Sequence, residues 1–104
     1  MTLHSINEEL KKLYGETSLD YTDKGAASGH SYIEFYASHM DPKRDQAGVK
    51  LLEVGISSGG SALLWSKYFT DPKIVGFDYL SQFASHCPFQ EELLKDPKVQ
   101  LTFN

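Results

Sequence analysis

The sequence predicts an α/β chain in which two helices lead into a three-stranded parallel sheet, the amino-terminal portion of a doubly wound arrangement. Three observations carry this. Two helical patterns come first, three short apolar runs then alternate with helical stretches, and the first of those runs ends in a glycine-rich turn that opens a helix. Strands that alternate with helices form parallel pairs through crossover connections.

Residues 4–14 carry Ile6, Leu10, Leu13 and Tyr14 at helical spacing, with Ser5-x-x-Glu8 as a capping box and Gly15 as the stop. Residues 16–29 are rich in turn formers and read as a loop. A second helix is predicted to start at Ser28–Ser31, with Ser31-x-x-Glu34 as its box and Tyr32, Ile33, Tyr36, Ala37 and Met40 as its apolar face. It should stop at Asp41-Pro42, because the residue before proline is pushed out of the α region. The strands are predicted at 49–54, 73–78 and 99–103, with helices over 62–69 and about 88–95, Pro88 falling in the first turn of the latter. Asp-Pro-Lys recurs at 41–43, 71–73 and 96–98, each time between a helical pattern and a strand, and reads as punctuation. The chain thus divides into a helical lead-in, 1–46, and a partial sheet domain, 47–104.

Composition narrows the function classes. Of the 104 residues, 40% are hydrophobic, 12% aromatic and 23% charged, which suits a globular domain and excludes collagen-like and disordered chains. The longest apolar run falls well short of the roughly 18 residues of a membrane helix. The amino terminus, MTLHSINEELKK, is polar and mixed in charge and does not read as a secretory signal. The net charge is −4 with acids and bases interspersed, so no basic stripe points to nucleic acid. The single cysteine, Cys87, allows no internal disulfide and reads as a reduced thiol in a cytoplasmic protein. Neither membrane nor nucleic acid is an expected partner; a small-molecule substrate is.

The segment that carries chemistry is Glu53-Val-Gly55-Ile-Ser57-Ser-Gly59-Gly60-Ser61. A strand that ends in glycines and opens a helix offers bare backbone to a ligand. A dinucleotide fold wants glycine in the middle of Gly-x-Gly-x-x-Gly, where the pyrophosphate approaches. Here Ser57 stands in that place. Glu53, two residues before the first glycine, repels a pyrophosphate and suits a cationic ligand. Asp78, at the end of the second strand, can accept hydrogen bonds from both ribose hydroxyls. Together these describe a nucleoside joined to an amino acid, without phosphate. Plainer roles exist for each: the glycines as a tight turn, Glu53 as a solvated edge charge, Asp78 as the N-cap of a following helix. Trp65, Tyr68 and Phe69, at helical spacing, are expected in the core.

The run LLEVGISSGGSALLWSKYFTDPKIVGFDYL resembles motif I and the following acidic strand end of class I S-adenosylmethionine-dependent methyltransferases, whose fold is Rossmann-like. Upstream, Thr22-Asp23-Lys24-Gly25 and His30-x-Tyr32-x-x-x-Tyr36 resemble the opening segment of macrolide-sugar O-methyltransferases of the macrocin and mycinamicin type. Gly60, Ser61, Trp65, Tyr68 and Phe69 fit that subgroup too, so the likeness spans residues 19–80. The resemblance implies a cofactor site of Glu53 near the methionine ammonium, Gly55, Ser57, Gly59, Gly60 and Ser61 around the methionine and ribose, and Asp78 with Tyr79 at the ribose end. It places Lys24, His30 and Tyr32 at the cofactor or substrate edge. It implies O-methyl transfer to a small-molecule or sugar hydroxyl.

The resembled core is seven-stranded, and this chain supplies its first three strands. Strands four to seven, with any divalent-metal carboxylates and the base that activates the substrate, are not in this sequence, so no catalytic residue or metal ligand is assigned. Strand 49–54 is then left with an open edge, expected to be covered by self-association or by the missing carboxyl-terminal half. Two other readings stand beside the enzyme. One is a non-enzymatic, truncated half-domain acting through a partner chain. The other, which Ser57 and Glu53 count against, is the half of an NAD-linked oxidoreductase.

Overall fold

The computed structural model of the chain describes residues 2–15, 33–56, 59–83 and 87–104. Its elements are α1 (Leu3–Tyr14), α2 (Ile33–Met40) running into a 3-10 turn (Asp41–Lys43), β1 (Val49–Val54), α3 (Gly60–Tyr68), β2 (Pro72–Asp78), α4 (Leu80–Phe83), α5 (Gln90–Lys95) and β3 (Val99–Phe103). The strands form one sheet in the order β1-β2-β3 with both pairings parallel, the α/β architecture that the alternation predicts. Among the described residues no helix is long and apolar enough to cross a membrane.

The helix starts show where side-chain capping and burial compete. α1 does not use Ser5-x-x-Glu8. Thr2 is its N-cap: the Ser5 amide donates to Thr2 Oγ1 at 3.0 Å, and the Thr2 amide donates to Ser5 Oγ at 2.9 Å. This earlier start carries Leu3 into the core with Ile6 and Leu10, while Glu8 is held by the Lys11 ammonium at 2.9 Å. That hydrogen bond keeps the Glu8 carboxyl below its ordinary pKa. The predicted start of the second helix at Ser28–Ser31 and its residue Tyr32 lie outside the described residues. Its end, at Met40 ahead of Asp41-Pro42, is where the proline rule puts it.

α3 begins at Gly60, two residues earlier than the pattern suggests, with Gly59 in the left-handed region (φ +94°) as its N-cap. Pro88 does not open a helix. It stands in a turn, and α5 starts at Gln90 with Phe89 as N-cap. The short α4 has no counterpart in the predicted elements.

Side chains alternate across the sheet. In register, Val49 and Pro72, Leu51 and Ile74, and Glu53 and Gly76 fall on one face. This face is packed under the helices, and α1 and α2 share its core through Leu3, Ile6, Leu10 and Ile33. Trp65, Tyr68 and Phe69 are buried there, with the Tyr36 ring edge-on to Trp65 at 5.3 Å. Arg44 locks the turn after α2 to the end of α3: its guanidinium lies 4.6 Å from the Tyr68 ring centre, and its Nε donates to the Tyr68 carbonyl at 2.9 Å. The Tyr68 hydroxyl donates to Asp41.

The Asp-Pro-Lys copies are structural. The first forms the 3-10 turn. In the second, Asp71 accepts from the Gly48 amide at 2.9 Å. In the third, Asp96 accepts from the Lys98 amide at 2.9 Å, just ahead of β3.

Candidate functional site

Ligands of doubly wound sheets bind outside the carboxyl ends of the strands. Here those ends border an open groove of about 470 Å³ lined by Val54 and Gly55 at the end of β1, Phe77, Asp78 and Tyr79 at the end of β2, and Thr102, Phe103 and Asn104 at the end of β3. That volume lies within the roughly 300–1,000 Å³ of small-molecule sites.

Backbone bonds fix the floor. The Gly55 amide donates to the Phe77 carbonyl at 2.8 Å, and the Asn104 amide donates to the Asp78 carbonyl at 3.1 Å. Gly55 has φ +80°, and a Cβ built on it would meet nothing within 4 Å. A side chain there would therefore stand in the open space of the groove. Asp78 is half-buried, and its Oδ1 accepts from the Tyr79 amide at 2.7 Å, one residue ahead of α4. Tyr79, at 63% exposure, presents its ring to solvent beside Phe77.

Of the residues singled out from sequence, the structure brings Gly55, Asp78 and Tyr79 together in this groove. Glu53, Gly59, Gly60 and Ser61 lie elsewhere. Glu53 shares the helix-covered face with Val49 and Leu51, is half-buried, and has its Oε2 shielded from solvent. It sits one residue behind the groove and does not line it, so it is not a solvated edge charge. Gly59, Gly60 and Ser61 are buried at the start of α3. A Cβ on Gly59 would come within 2.7 Å of Leu93 Cδ2 and 3.1 Å of Phe83 Cε1, so this glycine serves close packing under α4 and α5. Ser57, Lys24, His30 and Tyr32 lie outside the described residues.

Phe77, Thr102, Phe103 and Asn104 line the groove without having been singled out. Their signal was positional: each lies at or near the carboxyl end of a strand whose limits the sequence pattern located. Comparison with family models, with curated proteins and with solved structures gives no match to this chain.

Proposed function

We propose that this chain is the S-adenosylmethionine-binding half of a methyltransferase that methylates the oxygen of a small-molecule or sugar hydroxyl. The observation that carries the reading is that Asp78 and Gly55 line one groove at the carboxyl ends of the strands. A carboxylate accepts hydrogen bonds and donates none when ionised, which matches the two hydroxyls of a ribose. Phe77, Tyr79 and Phe103 supply flat apolar surface for a purine ring.

S-adenosylmethionine brings a methyl group already activated by its sulfonium. The chain's share is to hold the nucleoside, exclude water from one side and keep the local field negative. Asp78 and the half-buried Glu53 are the acids placed to do the last. Ser57 belongs to the same loop by resemblance, and Lys24, His30 and Tyr32 to the cofactor or substrate edge. A divalent metal, if the full enzyme uses one, takes its ligands from outside these residues.

The test is calorimetric titration of the 104-residue chain with S-adenosylhomocysteine, and with NAD in parallel. Saturable S-adenosylhomocysteine binding is expected, weakened about tenfold or more in Asp78→Ala, since hydrogen bonds to a charged acceptor contribute about 1.5–3 kcal/mol each. Heat from NAD instead, or none from S-adenosylhomocysteine with a chain shown to be folded, overturns the cofactor assignment. A second reading, a non-enzymatic half-domain that works through self-association or a partner chain, is favoured by a separate observation: Leu52, Val54 and Phe77 are exposed on the sheet face opposite the described helices.

A further inference from the structure

Of the elements that border the groove, α4 is the one that cannot hold itself. It has four residues, Leu80–Phe83, and a helix that short does not offset the cost of its own nucleation. It starts one residue after Tyr79, whose amide donates to Asp78 Oδ1 at 2.7 Å. Whatever holds α4 in place therefore holds both the carboxylate and the exposed tyrosine ring of the groove.

α4 is tethered from outside at both ends. At its start the Leu80 amide donates to the Asn104 carbonyl at 3.3 Å, beside the bond from the Asn104 amide to the Asp78 carbonyl. At its end the Phe83 carbonyl accepts from Gln90 Nε2 at 2.8 Å. The last carbonyls of a helix have no partner within it, so this one is satisfied by a side chain. Gln90 is the first residue of α5, which Leu93 anchors in the core. Between the tethers the buried Phe83 ring lies 4.8 Å from the ring of Phe103, which lines the groove. The bonds to Asn104 are main-chain bonds that any residue there would make. The bond from Gln90 depends on the side chain.

We infer that Gln90 is a positioning residue for the nucleoside end of the groove. Through the Phe83 carbonyl and α4 it holds the Asp78 carboxylate and the Tyr79 ring where a purine ribonucleoside meets them. Gln90 is half-buried and does not line the groove, so it acts without touching the ligand. The geometry matters because hydrogen bonds weaken steeply out of line, and a carboxylate that swings cannot serve two ribose hydroxyls at once. The inference rests on the ligand reading proposed above and adds to it the device that keeps the site in shape.

The test compares the wild type with Gln90→Met, which keeps the length of the side chain and removes its donor, and with Ile6→Val, a modest loss of core packing on α1. Circular dichroism checks that both variants fold. Without ligand, amide hydrogen exchange at Leu80 should quicken about threefold to tenfold in Gln90→Met, the scale of one neutral hydrogen bond, and stay unchanged in Ile6→Val. In calorimetry S-adenosylhomocysteine and adenosine, which share purine and ribose, should both weaken by a similar factor in Gln90→Met and by none in Ile6→Val. Unchanged exchange at Leu80 in Gln90→Met, or equal quickening in the two variants, overturns the tether. Quickened exchange with S-adenosylhomocysteine bound as tightly as by the wild type overturns the positioning role. A wild type that binds neither ligand, with Leu80 responding as expected, overturns the cofactor reading and leaves the tether of α4 standing.

Discussion

Adjacent residues of one strand, Leu51 and Leu52, meet opposite fates. Leu51 packs against the core beneath α3, and Leu52 is 67% exposed. The contrast repeats in β2, where Ile74 is fully buried while Phe77 is 41% exposed. Apolar side chains stand on both faces, although the outer one also carries Lys50, Lys73, Gln100 and Thr102, so an apolar residue does not by itself mark the covered side. The helices do: the core they build takes in Val49, Leu51 and Ile74 from one face, while Leu52, Val54 and Phe77 on the other stay exposed. Apolar area left in water contributes nothing to folding, whereas about 25 cal/mol per Å² is gained where it is buried. The stability of this chain therefore lies on one face of the sheet, and the other is available for binding.

The largest test of that division compares Trp65→Ala with Leu52→Ala. Trp65 is 3% exposed and holds Tyr36 at its edge, so truncation should cost about 3–5 kcal/mol in urea unfolding, a large part of the roughly 5–15 kcal/mol a domain of this size has. Should that variant not fold, Ile74→Val, expected at about 0.5–1.5 kcal/mol, measures the same face. Leu52→Ala should stay within about 0.5 kcal/mol of the wild type. A loss at Leu52 comparable to that at Trp65 would mean that something covers the outer face in solution.

Two glycines sharpen the comparison at the site. Gly59→Ala meets both a left-handed backbone and contact with Leu93 and Phe83, and should cost about 2–4 kcal/mol. Gly55→Ala meets the backbone strain alone, about 1–2 kcal/mol, because its Cβ enters open space. For S-adenosylhomocysteine binding the order should reverse: Gly55→Ala weakens it, while Gly59→Ala leaves the affinity of the folded fraction nearly unchanged. Unfolding midpoints and calorimetry on the same samples check both orders. Equal effects on binding would place the ligand deeper in the loop than the groove does.

What could be read in advance followed from local rules. Alternation of apolar runs with helical stretches located all three strands, because each run is bounded by turn chemistry that needs no distant partner. Trp65, Tyr68 and Phe69 were legible as core from spacing alone. The misreadings arose where two local signals competed or where tertiary packing decided. Thr2 and Ser5 both look like caps, and burial of Leu3 selects Thr2. Pro88 has the right φ for a first helical turn, yet the chain turns again before Gln90. α4 is too short to show a period. At the site, Asp78 and Gly55 were legible because strand ends announce them. The covered position of Glu53 depends on the parity of the strand relative to helices laid down later, and that is a global property.

The smallest expected effect tests the covered side far from the groove. Tyr14, at the end of α1, sets its ring edge-on to Phe89 at 5.2 Å, and its hydroxyl donates to Glu92 Oε2 at 3.5 Å, while Glu92 Oε1 takes Lys67 at 2.6 Å. Burial of the phenol, and then the charge of Glu92, hold its pKa above the ordinary value of 10.0. The neutral phenol is thus favoured by the folded state. Its contribution is fully present below the unfolded pKa and is lost as pH rises through the folded one, because the unfolded chain releases the proton first. The other tyrosines and the lysines also titrate in this range, so the wild type must be read against Tyr14→Phe. The stability difference between the two should be constant from about pH 7 to 9 and shift against the wild type from about pH 10 upward. A difference that stays flat through pH 11 would show that Tyr14 is solvated in the folded chain, and that α1 does not close over α5 as tightly as the packing of its ring on Phe89 requires.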